Sequence, residues 1–226
     1  MSRIAIIAAL PGELKPLVGQ NGSWRQSQPN MWIGTLGGHD TLAIAGGIGS
    51  SSATIAAQTA VSQGYADALI SYGWAGALTC ALKPPSAHSI SEIVDHGSGR
   101  HYSTRSPHGT RLITFDRVAR PYEKRHLAET HQAVLVDMEA TAVAGFAAEN
   151  DIPFYCFKGI SDAWDDNLPD FSRFISADGQ LRMPAFLAHA ALRPAYWASL
   201  MRLGRNSSLA ASNLARLLSK SLPSTL

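Results

Sequence analysis

Two segments, VDMEATAVAG (136–145) and FYCFKGISDAWDD (154–166), constrain the fold of this chain more than any other feature. Each carries an acidic side chain out of the end of an apolar strand, Glu139 from the first and Asp162 from the second. Carboxylates so close to buried strands cost free energy unless they are paired or used. Two such strand ends opening on the carboxyl edge of one α/β sheet form a ligand crevice. Glu13, near the first apolar run, adds a third carboxylate to the same expected crevice.

The surrounding pattern is α/β. Short β-branched or apolar runs bounded by Gly, Pro and Asp predict strands over 3–9, 31–36, 40–46, 67–73, 90–96, 110–115, 133–137 and 153–160. Helices are predicted over 12–19, 50–64, 121–130 and 139–150, the last three after a cap or turn. The alternation implies a three-layer fold, a central mixed, twisted sheet flanked by helices. Residues 83–110 read as loops around one strand. After Asp166, Pro184, Pro194 and Asn206-Ser207-Ser208 punctuate three helical stretches, near 184–192, 195–204 and 208–221. In the second, Leu192, Tyr196, Leu200 and Leu203 share one face. The expected organisation is one α/β domain over 1–182, with a basic amphipathic helical tail over 183–226 belonging to it.

Composition narrows the function. With 226 residues, 46% of them apolar and 16% charged, the chain can bury one large core, and nothing forces a second domain. No apolar run approaches the roughly 18 residues of a membrane span, and residues 3–10 read as a buried first strand rather than a signal segment. Cys80 and Cys156 sit in apolar contexts and read as buried thiols of a reducing cytoplasm. The eight histidines lack metal-ligand spacing, so no metal is expected. Residues 1–178 carry 13 Lys/Arg against 17 Asp/Glu, whereas 179–226 carry 6 Lys/Arg and no acid. Such a tail is either the solvated face of packing helices or a membrane-surface element whose Tyr196, Trp197, Leu200, Leu203 and Leu217 suit anionic headgroups. Basic residues without interleaved stacking platforms disfavour nucleic acid.

The motifs RIAIIAALPGELKPL, AGGIGSSSATIAA, LISYGWAGAL, VDMEATAVAGFAAENDIPF and KGISDAWDD, in that order over residues 3–166, resemble the nucleoside phosphorylase/nucleosidase superfamily. The branch they look most like contains the methylthioadenosine/S-adenosylhomocysteine nucleosidases. Three details resemble the hopanoid-associated phosphorylases, which remove adenine from adenosylhopane. They are the short middle region, the TFDRVAR stretch (114–120) leading to Lys124, and the ALRPAYW tail. The resemblance implies a cytoplasmic homo-oligomer acting on a purine nucleoside without a cofactor, with water or inorganic phosphate as co-substrate.

Cleaving a ribose–purine bond builds positive charge on the sugar and negative charge on the base. A general acid for that base needs a carboxyl in an apolar setting. The resemblance gives this role to Asp162, beside Ser161, facing the imidazole part of the purine; the residues alone also allow an N-cap on 163–169. By resemblance Glu139 accepts the ribose hydroxyls, Met138 packs on the sugar, and Glu13 activates the attacking water. The alternatives are a carboxylate favoured by a helix N-terminus for Glu139 and an exposed first-turn residue for Glu13. Asp137 reads as a supporting acceptor. Lys158 stands where the nucleosidases carry arginine, and Trp74, after Gly73, stands where a serine holds the nucleophile. The Ser50–Ser52 triplet is either an anion site or a cap. The base-stacking aromatic is assigned to Phe115, or to core, with Tyr72 and Trp74 as further candidates. A charge pair 4 Å apart is worth about 4 kcal/mol at an effective dielectric near 20, so an ionised Glu13 favours water, while the subfamily resemblance favours phosphate.

Two rivals remain at this level. Gly47-Ile48-Gly49, with Asp67 further on, mimics half of a dinucleotide-binding fingerprint. A non-catalytic nucleoside sensor on the same fold accommodates Trp74 and Lys158 equally well.

Overall fold

Apolar runs without alternation make strands buried on both faces, and three such runs form the centre of the sheet. The structure is a computed structural model describing residues 2–19, 23–106, 108–169, 174–176, 179–180, 182, 185–186, 192–193 and 196–222. In chain order its elements are β1 (Arg3–Ala8), α1 (Pro11–Val18), β2 (Trp24–Gln28), β3 (Met31–Leu36), β4 (His39–Ala45), α2 (Ser50–Ser62), β5 (Ala68–Ala77) and β6 (Ala87–Asp95). They continue with β7 (His101–Ser103), β8 (Thr110–Thr114), α3 (Pro121–His131), β9 (Leu135–Asp137), α4 (Ala140–Glu149), β10 (Phe154–Asp162) and α5 (Trp197–Ser221).

The strands form one mixed sheet in the order β10-β6-β8-β9-β5-β1-β4-β3-β2, with β7 on β6 and a second pairing between β10 and β5. That second pairing closes β5, β10, β6, β8 and β9 into a ring. The start of β5 pairs with β1 through Ala68–Ser71, and its end pairs with β9 through Gly76 and Ala77. β1, β5 and β10 run parallel, so their carboxyl ends open on the same edge.

Helices cover both faces. On one, small residues let α2 and α4 approach closely: Ala53, Ala56, Ala57 and Ala60 meet the sheet beside Val143, Ala144 and Ala147. On the other, Leu14 and Leu17 of α1 and Leu214, Ala215 and Leu218 of α5 cover Ile4, Ile6, Ile70, Tyr72 and Phe157. This is the expected three-layer α/β architecture.

Several sequence expectations need correction. β2 and β7 were not predicted; both are edge strands, and the polar Trp24–Gln28 has no apolar face to betray it. β5 runs on to Ala77 rather than stopping at 73. Asn206-Ser207-Ser208 does not interrupt the last helix, which is continuous over 25 residues. Ser207 is buried there and its carbonyl accepts the Trp74 indole N–H at 2.9 Å, so tertiary packing overrides the local break. Leu192 is 84% exposed and does not share a buried face with Leu200 and Leu203. Cys80 is exposed, whereas Cys156 is buried, its thiol pushed up to about 12 by that burial. The helix expected near 184–192 lies mostly outside the described residues. Among the described residues no helix is long and apolar enough to cross a membrane.

Leu214, fully buried between α5 and the sheet, tests how far this helix holds the fold. Leu214→Ala is expected to cost about 2–5 kcal/mol, read as a lower denaturation midpoint at unchanged slope.

Candidate active site

The carboxyl edge of β1, β5 and β10 carries a cavity of about 650 Å³. Glu13, Glu139 and Asp162, the first and last of them 149 residues apart in sequence, all line it, together with Asp137, Met138, Ser161 and Trp74.

Glu13 is delivered by the first turn of α1 and is 4% exposed, not a solvated first-turn residue. Its Oε2 accepts the backbone N–H groups of Ala9 and Leu10, each at 2.8 Å, and its Oε1 that of Trp74 at 2.7 Å. One carboxylate thereby joins β1, α1 and β5. Burial pushes its pKa up against these donors and the charge of Lys158, which pull it down.

Asp137, Met138 and Glu139 follow from the end of β9. Asp137 Oδ2 accepts the Ala140 N–H at 2.9 Å, capping α4, and lies 2.8 Å from Lys158 Nζ; its Oδ1 accepts the Thr114 hydroxyl at 2.7 Å. Burial opposes the charge on Lys158, but Asp137 prevails and raises its pKa. Lys158 thus sits behind Asp137 and is not among the cavity-lining residues. Glu139 keeps a part-exposed face on the cavity, while its Oε1 accepts the Gly49 N–H at 2.8 Å at the start of α2. Burial, then the neighbouring Asp137 charge, pushes Glu139 up to about 8.

Asp162 ends β10 behind a register shift between Ile160 and Asp162. Such a bulge re-aims side chains near sites, and here it brings both Ser161 and Asp162 to the cavity. The expected apolar setting is not what Asp162 has. Its Oδ2 meets Lys124 Nζ at 2.5 Å and its Oδ1 accepts the Ser161 hydroxyl at 2.6 Å. Lys124, from α3, is a residue whose part in the site the sequence reading missed.

Two glycines of β5 leave room for the acids. A Cβ on Gly73, at φ +154°, would lie 2.5 Å from Glu13 Oε1, and one on Gly76 would lie 2.8 Å from Asp162 Oδ2. Gly73 therefore shapes the site without lining it. Phe115 does not line the cavity either: it is buried, under the Arg117 guanidinium and edge-on to His96. Tyr72 is buried in the core facing α1 and α5. Trp74 does line the cavity, its N–H spent on Ser207.

The phosphorylase superfamily model matches residues 3–116 and 86–190. The chain belongs to the phosphorylase superfamily. Among solved structures, this superfamily member is similar to the Helicobacter pylori 5′-methylthioadenosine/S-adenosylhomocysteine nucleosidase, at 16% identity and TM-score 0.71 with 97% of each chain covered. The corresponding S. pneumoniae enzyme gives 19% identity and TM-score 0.72 over 96% of each chain. Futalosine hydrolase of H. pylori gives 16% and 0.71, over 96% of this chain and 95% of that one. At such identities the likeness is one of fold. No curated protein matches the chain.

The Gly47-Ile48-Gly49 turn of this superfamily member does not present a phosphate cradle. Its three amides are bonded to Ala9 O at 2.9 Å, Gly179 O at 2.8 Å and Glu139 Oε1 at 2.8 Å. Asp67 accepts the Arg3 N–H at 2.7 Å. The dinucleotide fingerprint is thereby explained as structure.

Gly76→Ala is expected to displace the Asp162 carboxyl and lower kcat/KM by about tenfold or more, since small misplacements cost catalysis steeply. Melting would separate this from unfolding, with the midpoint expected to move far less than the rate.

Proposed function

We propose that the protein cleaves the N-glycosidic bond of a 5′-substituted adenine nucleoside, with water as nucleophile. The convergence of Glu13, Glu139 and Asp162 on one cavity carries this reading. Asp162 serves the departing base, Glu139 the ribose hydroxyls, and Glu13 the attacking water. Carboxylates near the sugar also favour its cationic transition state.

The charge distribution supports water over phosphate. Lys158 is committed to Asp137, and the amide at the start of α2 is committed to Glu139. A phosphate anion there would approach the buried Glu13 carboxylate, with Lys158 and Lys124 both committed to aspartates and only Lys15, exposed on α1, left among the cavity's lysines. Much of the rest of the wall is apolar, including Leu10, Pro16, Leu168, Phe186, Leu200 and Leu203. It supports a large hydrocarbon 5′ substituent, adenosylhopane being the substrate the family resemblance implies. Contact with an anionic lipid surface suits such a substrate. Trp197 and Met201 are exposed on α5 near the cavity-lining Leu200 and Leu203, and residues 179–226 carry no acid.

The test is adenine release from adenosine and 5′-alkyl adenosines, with and without phosphate, followed by identification of the sugar. Free sugar is expected, at a rate independent of phosphate. Each buried methylene contributes about 0.8 kcal/mol, so kcat/KM should climb roughly fourfold per methylene until the wall is filled. Absence of base release from every adenosine would overturn the function, and a sugar 1-phosphate product would overturn the nucleophile.

The state of Glu139 predicts a pH dependence. With its pKa near 8, it is protonated in the free protein at lower pH, and only the ionised form accepts both ribose hydroxyls. kcat/KM should therefore rise with pH and level off above about 8. Glu139→Gln should abolish that rise and lower kcat/KM by about 100-fold or more.

A further inference from the structure

Protonating a departing purine requires a proton at Asp162, and the geometry shows where one is held. Lys124 is 1% exposed yet lines the cavity. Its ammonium donates to Asp162 Oδ2 at 2.5 Å and to the Ala163 carbonyl at 2.6 Å. Among the described residues these bonds use two of its three hydrogens. The helix start that carries it is itself fixed by hydrogen bonds and an ion pair. Lys124 N–H bonds the Arg120 carbonyl at 2.8 Å, Glu123 Oε2 accepts the Arg120 N–H at 2.8 Å, and Glu123 Oε1 pairs with Arg117 at 2.6 Å.

Neutralising a buried aspartate would by itself account for a buried lysine. Asp137 has such a partner in Lys158, which lies behind it and away from the cavity. The Lys124 pair differs in that both members line the cavity. It also joins a proton donor to a carboxylate whose other oxygen is held by Ser161.

Resting on the nucleosidase reading above, we propose that Lys124 is a positioning residue that loads Asp162 with the proton it passes to the leaving base. As the C1′–N9 bond breaks, its electron pair goes to the purine. One proton moves from Lys124 Nζ to Asp162 Oδ2, and the Asp162 carboxyl gives a proton to a ring nitrogen. The water that forms the new C1′–O bond gives its proton to Glu13. Exchange with solvent returns Glu13 to the anion and Lys124 to the ammonium, so base and sugar leave with the elements of one water.

Other charged groups on the cavity are Glu13 and Lys15 of α1, Asp137 at the end of β9, Glu139 just before α4, and Arg117 before α3. Beyond Asp162, Asp166 is paired with Arg202 at 2.6 Å. A ratio of variant to wild-type rates at each pH cancels their titrations.

The test uses Lys124→Gln, whose amide is a hydrogen-bond donor but carries no transferable proton. At pH 8 its kcat should fall about 100-fold or more, the usual scale of a lost general acid, with KM changed less than threefold. The ratio of variant to wild-type kcat should rise as pH falls from 8 to 5, because protons from solution then replace the one that Lys124 supplies. On 4-nitrophenyl riboside, whose leaving group needs no proton, the variant should keep rates within a few-fold of wild type. Lys124→Arg, a folded-state control that keeps the charge but holds its proton more tightly, should also lose kcat with little change in KM. A ratio independent of pH, or equal losses on the two leaving groups, would overturn the relay and leave a structural lysine. Wild-type protein that released no base from any adenosine would instead defeat the nucleosidase reading itself.

Discussion

Ion pairing between buried ammonium and carboxylate groups at the sheet edge is the interaction on which the architecture depends. The Lys158–Asp137 pair, with side chains 2% and 0% exposed, ties β10 to β9; the Lys124–Asp162 pair ties α3 to β10. Desolvation consumes most of the Coulombic gain of such pairs, so neither adds much net stability. Removing one partner strands the other, at about 3–5 kcal/mol. The pairs therefore act less as glue than as a condition: the elements can come together only in the arrangement that joins opposite charges. Glu13 meets the same demand through three backbone amides, two from the turn between β1 and α1 and one from β5, with no cation paired to it among the described residues.

Glu139 shows how structure and chemistry share one group. Its carboxyl ends at the start of α2, where a helix N-terminus favours an anion, yet burial and Asp137 oppose the charge. The result is a carboxyl poised to change state near neutral pH, beside the place where a sugar is expected. Such opposed influences on neighbouring carboxyls are how one site comes to hold groups of different protonation.

Much of this was legible from sequence because acids at the ends of apolar strands are conspicuous. Glu139 and Asp162 follow runs with no other reason to end in a charge, and the order of strands and helices brought them to one edge. Lys124 was not legible as part of the site. PYEKRHLAETH reads as a charged surface helix, and only docking decides that Lys124 and Leu127 turn inward while Arg125 does not. Phe115 was ambiguous for a related reason: an apolar ring at a strand end serves a ligand or the core equally well, and here the core has it. The unbroken α5 reflects a tertiary acceptor bond that no local propensity encodes, and the polar β2 lacks the alternation by which strands are read.

The ring of β5, β10, β6, β8 and β9 has a consequence for how this molecule meets others. Closure leaves lateral hydrogen-bonding margins chiefly at β2, whose outward residues are polar, and at β7, which is only three residues long. Neither margin invites another chain to extend the sheet. Copies of this protein, or any partner, are thus directed to helix surfaces and loops, and the hydrogen-bonded core stays closed to recruitment into larger β assemblies.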